Sequence, residues 1–95
     1  MSSPKTATEI DIYVGRKLKH LRRMKELSQT DLGRATNVSF QQIQKYERGL
    51  NRISVGRLWE FCEVFKVSPT YFFDGFNTVG NNIEAAQPIF VQSAE

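Results

Sequence analysis

The sequence predicts a single all-α domain of five short helices, and three observations support this fold class. Apolar residues recur at helical spacing, not in alternation, through the central part of the 95-residue chain. A serine stands immediately before four of the expected helices, where its side chain caps free backbone N–H groups. Asparagine, glycine and proline separate these segments, so local sequence marks where helices begin and end.

The first helix is predicted over residues 11–25 from its apolar spacing. Its buried face recurs at i, i+4 and i+7 and consists of Val14, Leu18 and Leu21. Lysine and arginine cover the remaining surface. Residues 1–10 are polar, contain Pro4 and are expected to form a flexible arm.

The second helix begins with a capping box, in which the Ser28 side chain bonds to the backbone of Asp31 and the Asp31 side chain bonds back. Leu32 and Ala35 are expected to form its inner face. A three-residue turn follows, centred on Asn37, which tolerates the left-handed backbone of a sharp reversal.

The third helix begins at Ser39, Gln42 is expected to complete a second capping box, and Gly49 ends the helix as a C-terminal cap. Ile43 and Tyr46 are predicted to point inward. Two helices with such a tight turn match the helix-turn-helix motif, whose second helix lies in the DNA major groove while the first braces it.

Two further helices and a tail complete the prediction. The fourth helix covers about residues 54–66 and is expected to bury Leu58, Phe61, Cys62 and Phe65. A short fifth helix starts at Ser68-Pro69, because proline is well tolerated at the first helical position, and Gly75 ends it. Residues 76–95 are polar with little periodicity, and we expect a mobile tail.

Composition and charge indicate a protein that acts on a polyanion. The net charge is +3, yet residues 14–58 contain eleven basic and three acidic residues, whereas residues 59–95 carry a charge of −4. Such segregation is typical of nucleic-acid binding. No stretch approaches the roughly 20 apolar residues of a membrane span, and residues 1–9 lack a signal-peptide run. We therefore expect a cytoplasmic protein without a membrane partner.

The exposed face of the third helix carries side chains suited to reading bases. These are Phe40, Gln41, Gln44 and Lys45. Glutamine pairs with adenine, lysine donates to guanine, and a phenylalanine ring packs on a thymine methyl group. The alternative for Phe40 is that its ring folds back against the second helix, since burial of apolar surface is favourable.

Phosphate contacts are predicted at two helix N-termini and in the loop after the third helix. Free N–H groups and the helix dipole bind anions at Gln29, whose side chain adds a donor, and at Ser39. Asn51 and Arg52 follow where a DNA strand would pass. The alternative for Arg52 is simple solvation.

Glu47 is an acidic residue in the basic segment, where an unpaired negative charge would repel DNA. We expect it to be neutralised by Arg22, in a buried pair that locks the first helix to the end of the third. Its role in this interpretation is structural.

Enzyme function is not supported by the residues present. The single histidine, His20, has no Ser, Cys or acid at catalytic spacing, and the single cysteine, Cys62, is expected to be a small buried apolar side chain. We predict no catalytic site, no metal or other cofactor, and no small-molecule ligand.

Residues 14–75 closely resemble the Cro and phage-repressor type of helix-turn-helix domain, the XRE family of bacterial and phage regulators. Three motifs carry the resemblance: LSQ-x-x-L from Leu27, NVS-x-x-x-I-x-x-x-E-x-G from Asn37, and VSP-x-x-F from Val67. Two departures are Asn37, where relatives commonly have glycine, and Phe40, where many carry a polar residue.

The resemblance implies a compact, five-helix, lambda-repressor-like domain over residues 11–75 that binds double-stranded operator DNA, usually as a homodimer on an inverted repeat. It implies the Arg22–Glu47 bridge and a set of DNA contacts: bases at Phe40, Gln41 and Lys45, and phosphates at Gln29, Ser39 and Arg52.

The expected function is therefore a sequence-specific transcriptional regulator, a repressor, that places helix 39–48 in the major groove and associates with the nucleoid when bound. The alternative is an antitoxin-like or adaptor module, which would bind a protein partner through the acidic C-terminal half. Salt-dependent DNA binding distinguishes them, because phosphate contacts weaken as salt rises.

Overall fold

The computed structural model describes residues 8–76 and contains four α-helices followed by one 3₁₀ helix. The elements are α1 (Glu9–Met24), α2 (Gln29–Thr36), α3 (Phe40–Glu47), α4 (Val55–Phe65) and the 3₁₀ helix (Pro69–Phe72). Within this part of the chain there is no strand, and no helix is long and apolar enough to cross a bilayer. Residues 1–7 of the predicted arm and 77–95 of the predicted tail lie outside the described residues.

α1 begins two residues before the predicted start because Thr8 caps it. The Thr8 hydroxyl accepts the backbone N–H of Asp11 at 3.4 Å, and the Asp11 carboxylate accepts the Thr8 N–H at 2.9 Å. Residues 9 and 10 of the expected arm are therefore helical. A Thr-x-x-Asp sequence is the signal that could have identified this cap.

The prediction of a fifth α-helix is wrong, because the chain after Ser68 forms only one 3₁₀ turn. The Phe73 N–H donates to the Thr70 carbonyl at 2.9 Å, and Gly75 reverses the chain with a φ of 88°. Only six residues separate the Ser68 cap from the chain reversal at Gly75, so few i→i−4 hydrogen bonds can form. Short helical segments of this kind commonly take the tighter 3₁₀ form. Phe72 is nevertheless fully buried.

One apolar core joins all of these elements. Its buried members among residues 8–76 are Val14, Leu18, Leu21, Leu32, Ile43, Phe61, Cys62, Phe65 and Phe72. Leu58 and Tyr46 are half-buried at its edge. Ala35, predicted to face inward, is exposed, because Leu32 and Thr36 share the inner face of α2 at i and i+4.

The turn between α2 and α3 depends on close backbone approach. Asn37 takes the predicted left-handed conformation, with φ 60° and ψ 44°. A Cβ atom on Gly33 would lie 2.2 Å from the Val38 carbonyl oxygen, so only glycine fits there. The Val38 N–H donates to the Gly33 carbonyl at 2.8 Å, which fixes α3 against α2.

The ends of α3 follow the predicted residues with one difference. The Ser39 hydroxyl accepts the Gln42 N–H at 3.1 Å, but Gln42 makes no return bond, so only half of the predicted box forms. At the other end Gly49 has a φ of 76°, and the Leu50 N–H donates to the Lys45 carbonyl at 2.9 Å. This is a Schellman closure.

The capping box of α2 gives the fold a defined acid sensitivity. Ser28 and Asp31 exchange two hydrogen bonds of 2.9 Å. Hydrogen bonding to the Asp31 carboxylate holds its pKa below the ordinary 3.8. The Ser28 backbone N–H makes the largest contribution and the Ser28 side chain the next. Because the pKa is lower in the folded state, this stabilisation is present above about pH 4 and is lost as pH falls through the folded-state pKa.

We expect Asp31→Asn to lower the melting temperature near neutral pH and to reduce the further loss between about pH 5 and about pH 3. Thermal melts followed by circular dichroism at both ends of this range measure the effect. Glu63→Gln is the matched control, because Glu63 is an exposed acid without a hydrogen-bond partner among the described residues. An identical acid response in Asp31→Asn and the parent protein would contradict the assignment.

Candidate nucleic-acid interface

The outer face of α3 consists of the residues that the sequence predicts as base contacts. Phe40, Gln41, Gln44 and Lys45 are exposed, while Ile43 beneath them is fully buried and holds α3 to the core. Phe40 is the first residue of α3 and is 46% exposed. The structure therefore brings the four side chains onto one accessible surface.

Arg22 and Glu47 form a bidentate ion pair inside the protein. Arg22 Nε donates to Glu47 Oε2 at 2.6 Å, and Arg22 Nη2 donates to Oε1 at 3.1 Å. Their side chains are only 11% and 2% exposed. The pair neutralises the acidic residue of α3 and ties the end of that helix to α1.

Gln29 makes a contact that the sequence analysis missed. Its Nε2 donates to Glu47 Oε1 at 3.0 Å, so Glu47 accepts hydrogen bonds from α1 and α2 together. Arg22 Nη1 also donates to the Leu27 carbonyl at 2.7 Å, just before the α2 cap. No local pattern signals these bonds, because Gln29 and Glu47 lie 18 residues apart.

The remaining predicted phosphate contacts lie at the start and after the end of α3. The Ser39 oxygen accepts the Gln42 N–H, and the Ser39 hydroxyl hydrogen has no acceptor among the described residues. Asn51 and Arg52 are exposed in the loop that follows α3. These residues flank the outer face of α3 along the chain.

Arg52 is not simply solvated, because it is bonded to the first turn of α1. Its Nε donates to Asp11 Oδ2 at 3.0 Å, although 53% of the side chain remains exposed. Burial would raise the pKa of Asp11, but hydrogen bonds from Thr8 and Arg52 outweigh it and hold that pKa below its ordinary value. This ion pair anchors the loop after α3, and sequence spacing did not reveal it.

A second exposed surface is apolar and consists of residues of α4 and of the segment after the 3₁₀ helix. Val55 and Trp59, one turn apart on α4, are 85% and 55% exposed, and Phe73 is 45% exposed. Val55 and Phe73 line a cleft of about 150 Å³ with Ile53 and Leu58. Exposed large apolar side chains, tryptophan above all, are typical of a protein contact surface.

The potentially reactive groups in the part of the chain that the structure describes include a thiol and an imidazole. No three His, Cys, Asp or Glu residues there are placed to share a metal ion. Cys62 is buried, and burial raises the pKa of its thiol, which disfavours the nucleophilic thiolate. His20 is exposed among basic residues of α1.

Comparison with known proteins identifies the same segment. A helix-turn-helix family model, HTH_3, matches residues 18–72, which is more than half of the chain. The fold is also similar to the crystal structure of an HTH_3 family transcriptional regulator from Vibrio cholerae. That likeness has a TM-score of 0.65 and 25% sequence identity over 73% of this chain and 40% of the other.

Sequence relatives carry the same description. The chain is 48% identical over 68 residues to y4aM of Sinorhizobium fredii, an uncharacterized HTH-type transcriptional regulator, covering 72% of this chain and 48% of that protein. It is 44% identical over 72 residues to an uncharacterized transcriptional regulator in the ATPase CF(0) region of Rhodospirillum rubrum, covering 76% and 67%. This chain thus spans about half the length of y4aM.

Proposed function

The chain belongs to the HTH_3, XRE-type family of DNA-binding helix-turn-helix transcriptional regulators, and on that premise we propose that it represses transcription by placing α3 in the major groove of an inverted-repeat operator. The family consists of regulators and not of enzymes. The observation that carries the proposal is the outer face of α3, where four side chains capable of base contact stand exposed above a buried anchor. Its site of action is DNA in the cytoplasm.

The proposed contacts divide into base reading and phosphate binding. Base edges are read by Phe40, Gln41, Gln44 and Lys45. Phosphates are bound by Gln29, Ser39, Asn51 and Arg52. Arg52, whose Nε bonds Asp11, is proposed to bind a phosphate while it holds the loop. No small-molecule ligand or cofactor is needed for this activity.

We expect Lys45→Ala to weaken binding to the preferred duplex about tenfold or more, because it removes a base contact together with a positive charge. Fluorescence anisotropy across a salt series measures affinity and salt slope. Lys17→Ala is the matched control: its ammonium lies 4.2 Å from the Tyr71 ring centroid, on the α1 face beside the 3₁₀ helix. Unaltered binding by both Lys45→Ala and Arg52→Ala would show that the groove assignment is wrong.

Phe40 gives a base-specific prediction. If its ring packs on a thymine methyl group, replacing one thymine of the site by deoxyuridine should weaken binding several-fold in the parent protein but leave Phe40→Ala unaffected. Gln41→Ala is the control and should keep the full sensitivity to that methyl group. Binding that ignores every thymine-to-deoxyuridine change would remove Phe40 from the reading surface.

The proposed homodimer follows from the two-fold symmetry of an inverted repeat, whose half-sites lie about one helical turn apart. The exposed apolar residues Val55, Trp59 and Phe73 are the surface offered for this contact. Selection of bound sequences from random duplex DNA tests both points, since a dimer yields paired half-sites at fixed spacing. Recovery of isolated half-sites would exclude the dimer, and recovery of no sequence would favour the protein-interaction module.

A further inference from the structure

We propose that Glu47 is a positioning residue, which presents the side-chain amide of Gln29 to a DNA phosphate. The inference rests on the proposed DNA-binding function and extends it. A neutralising ion pair requires only Arg22 and Glu47, whereas the structure adds Gln29 as a third member bonded to the same carboxylate. We call these three residues the Arg22–Glu47–Gln29 cluster.

The geometry leaves one amide hydrogen of Gln29 available. Its Nε2 carries two hydrogens, of which one is donated to Glu47 Oε1 at 3.0 Å. Glu47 is 2% exposed and lies below, while Gln29 is only half-buried at the protein surface. With one hydrogen bonded to Glu47, the second hydrogen of the planar amide points about 120° away from it and has no acceptor among the described residues.

The same cluster also holds the backbone around that amide. Arg22 Nη1 donates to the Leu27 carbonyl at 2.7 Å, one residue before the Ser28 cap. The Ser28 hydroxyl bonds the N–H of Asp31, and the first N–H groups of a helix have no intrahelical partner. The N-terminus of α2 is therefore held at two points, the Leu27 carbonyl and the Gln29 side chain. Each is hydrogen-bonded to a member of the buried Arg22–Glu47 ion pair.

This arrangement couples two parts of the proposed interface. Glu47 is the last residue of α3, so the amide aimed at a phosphate is bonded directly to the base-reading helix. Phosphate contacts set the register in which bases are read, and an amide already held in place loses less conformational entropy on binding. Because the cluster carries no net charge, the buried carboxylate does not repel the phosphate.

The test is a double-mutant cycle on DNA affinity with the duplex recovered by selection. Gln29→Ala and the apolar replacement of the ion pair, Arg22→Met with Glu47→Leu, should each weaken binding about tenfold, and the two changes combined should also lose about tenfold instead of a hundredfold. Circular dichroism melts define a temperature at which every variant is folded, and affinities are compared there. Additive losses would mean that Glu47 acts only through stability, which overturns the proposal.

A second readout reports the phosphate itself. Neutral methylphosphonate groups are placed one at a time along the duplex, and one position should weaken binding by the parent protein but not by Gln29→Ala or by Arg22→Met with Glu47→Leu. Gln29→Asn keeps an amide and leaves the buried ion pair intact, but its side chain is one methylene shorter and should not reach both partners. We expect it to bind like Gln29→Ala, and parent-like binding would overturn the positioning role.

Failure of the proposed function looks different from failure of this inference. A parent protein that binds no duplex in a salt-dependent manner overturns both. A parent protein that binds DNA, with the methylphosphonate effect retained after Arg22→Met with Glu47→Leu, overturns only the positioning role of Glu47.

Discussion

Replacing Arg22 by alanine is expected to lower the free energy of unfolding by about 3–5 kcal/mol, the usual cost of leaving one member of a buried ion pair without its partner. Glu47 would keep a carboxylate that is 2% exposed, and the Leu27 carbonyl would lose its donor. A small domain has a total stability of roughly 5 kcal/mol, so the variant would be largely unfolded at physiological temperature. Urea denaturation followed by circular dichroism measures the loss.

Two comparisons make this result specific to the pair. Arg48→Ala removes an exposed arginine beside the same helix end and should change stability by less than about 0.5 kcal/mol. Replacing both members, as in Arg22→Met with Glu47→Leu, should recover most of the loss, because a buried apolar pair is often as stable as a buried ion pair. A cost below about 1 kcal/mol for Arg22→Ala would show that the pair is not important for folding.

The apolar double variant also separates stability from DNA binding. It removes the carboxylate that holds Gln29, so a protein of recovered stability should still bind DNA less tightly than its parent. That outcome would distinguish the two roles of Glu47: neutralised partner of Arg22 within the fold, and acceptor for the Gln29 amide at the interface.

The second large effect is expected at Gly15, where α1 crosses α3. A Cβ atom there would lie 2.3 Å from the Tyr46 carbonyl oxygen and 3.0 Å from that of Glu47. Both are backbone atoms and cannot rotate away, so Gly15→Ala must push the helices apart. We expect a loss of about 3 kcal/mol, which corresponds to a decrease in melting temperature of roughly 12–24 °C for a domain of this size.

Gly56→Ala is the matched control for Gly15→Ala. Gly56 lies in the first turn of α4, and a Cβ atom there would meet nothing within 4 Å. The same substitution should therefore stabilise the protein by up to about 1 kcal/mol, through the better helix propensity of alanine. Equal melting temperatures for Gly15→Ala and the parent protein would contradict the close approach of α1 and α3.

Helix ends were predictable where the signal is local. The Ser28 and Asp31 cap, the left-handed Asn37 and the closure at Gly49 all involve residues within a few positions of one another. The capping box of Thr8 and Asp11, which the prediction did not include, is also a local signal, because the two residues lie three positions apart. The error after Ser68 is of another kind, because cap residues show where a helix begins but not whether it reaches a full α-helical turn.

The sequence by itself determined the all-helical class, most of the core and the polar outer face of α3, because each follows from side-chain periodicity along one helix. It also suggested the Arg22–Glu47 pair, since an acidic residue in a basic DNA-binding segment needs a counter-charge. Only the tertiary structure decided that Gln29 bonds Glu47, that Arg52 bonds Asp11, and that Gly15 must have no side chain. These contacts join positions 18 to 41 residues apart. They depend on the angles and distances at which helices pack, and a pattern along a single helix contains no information about either.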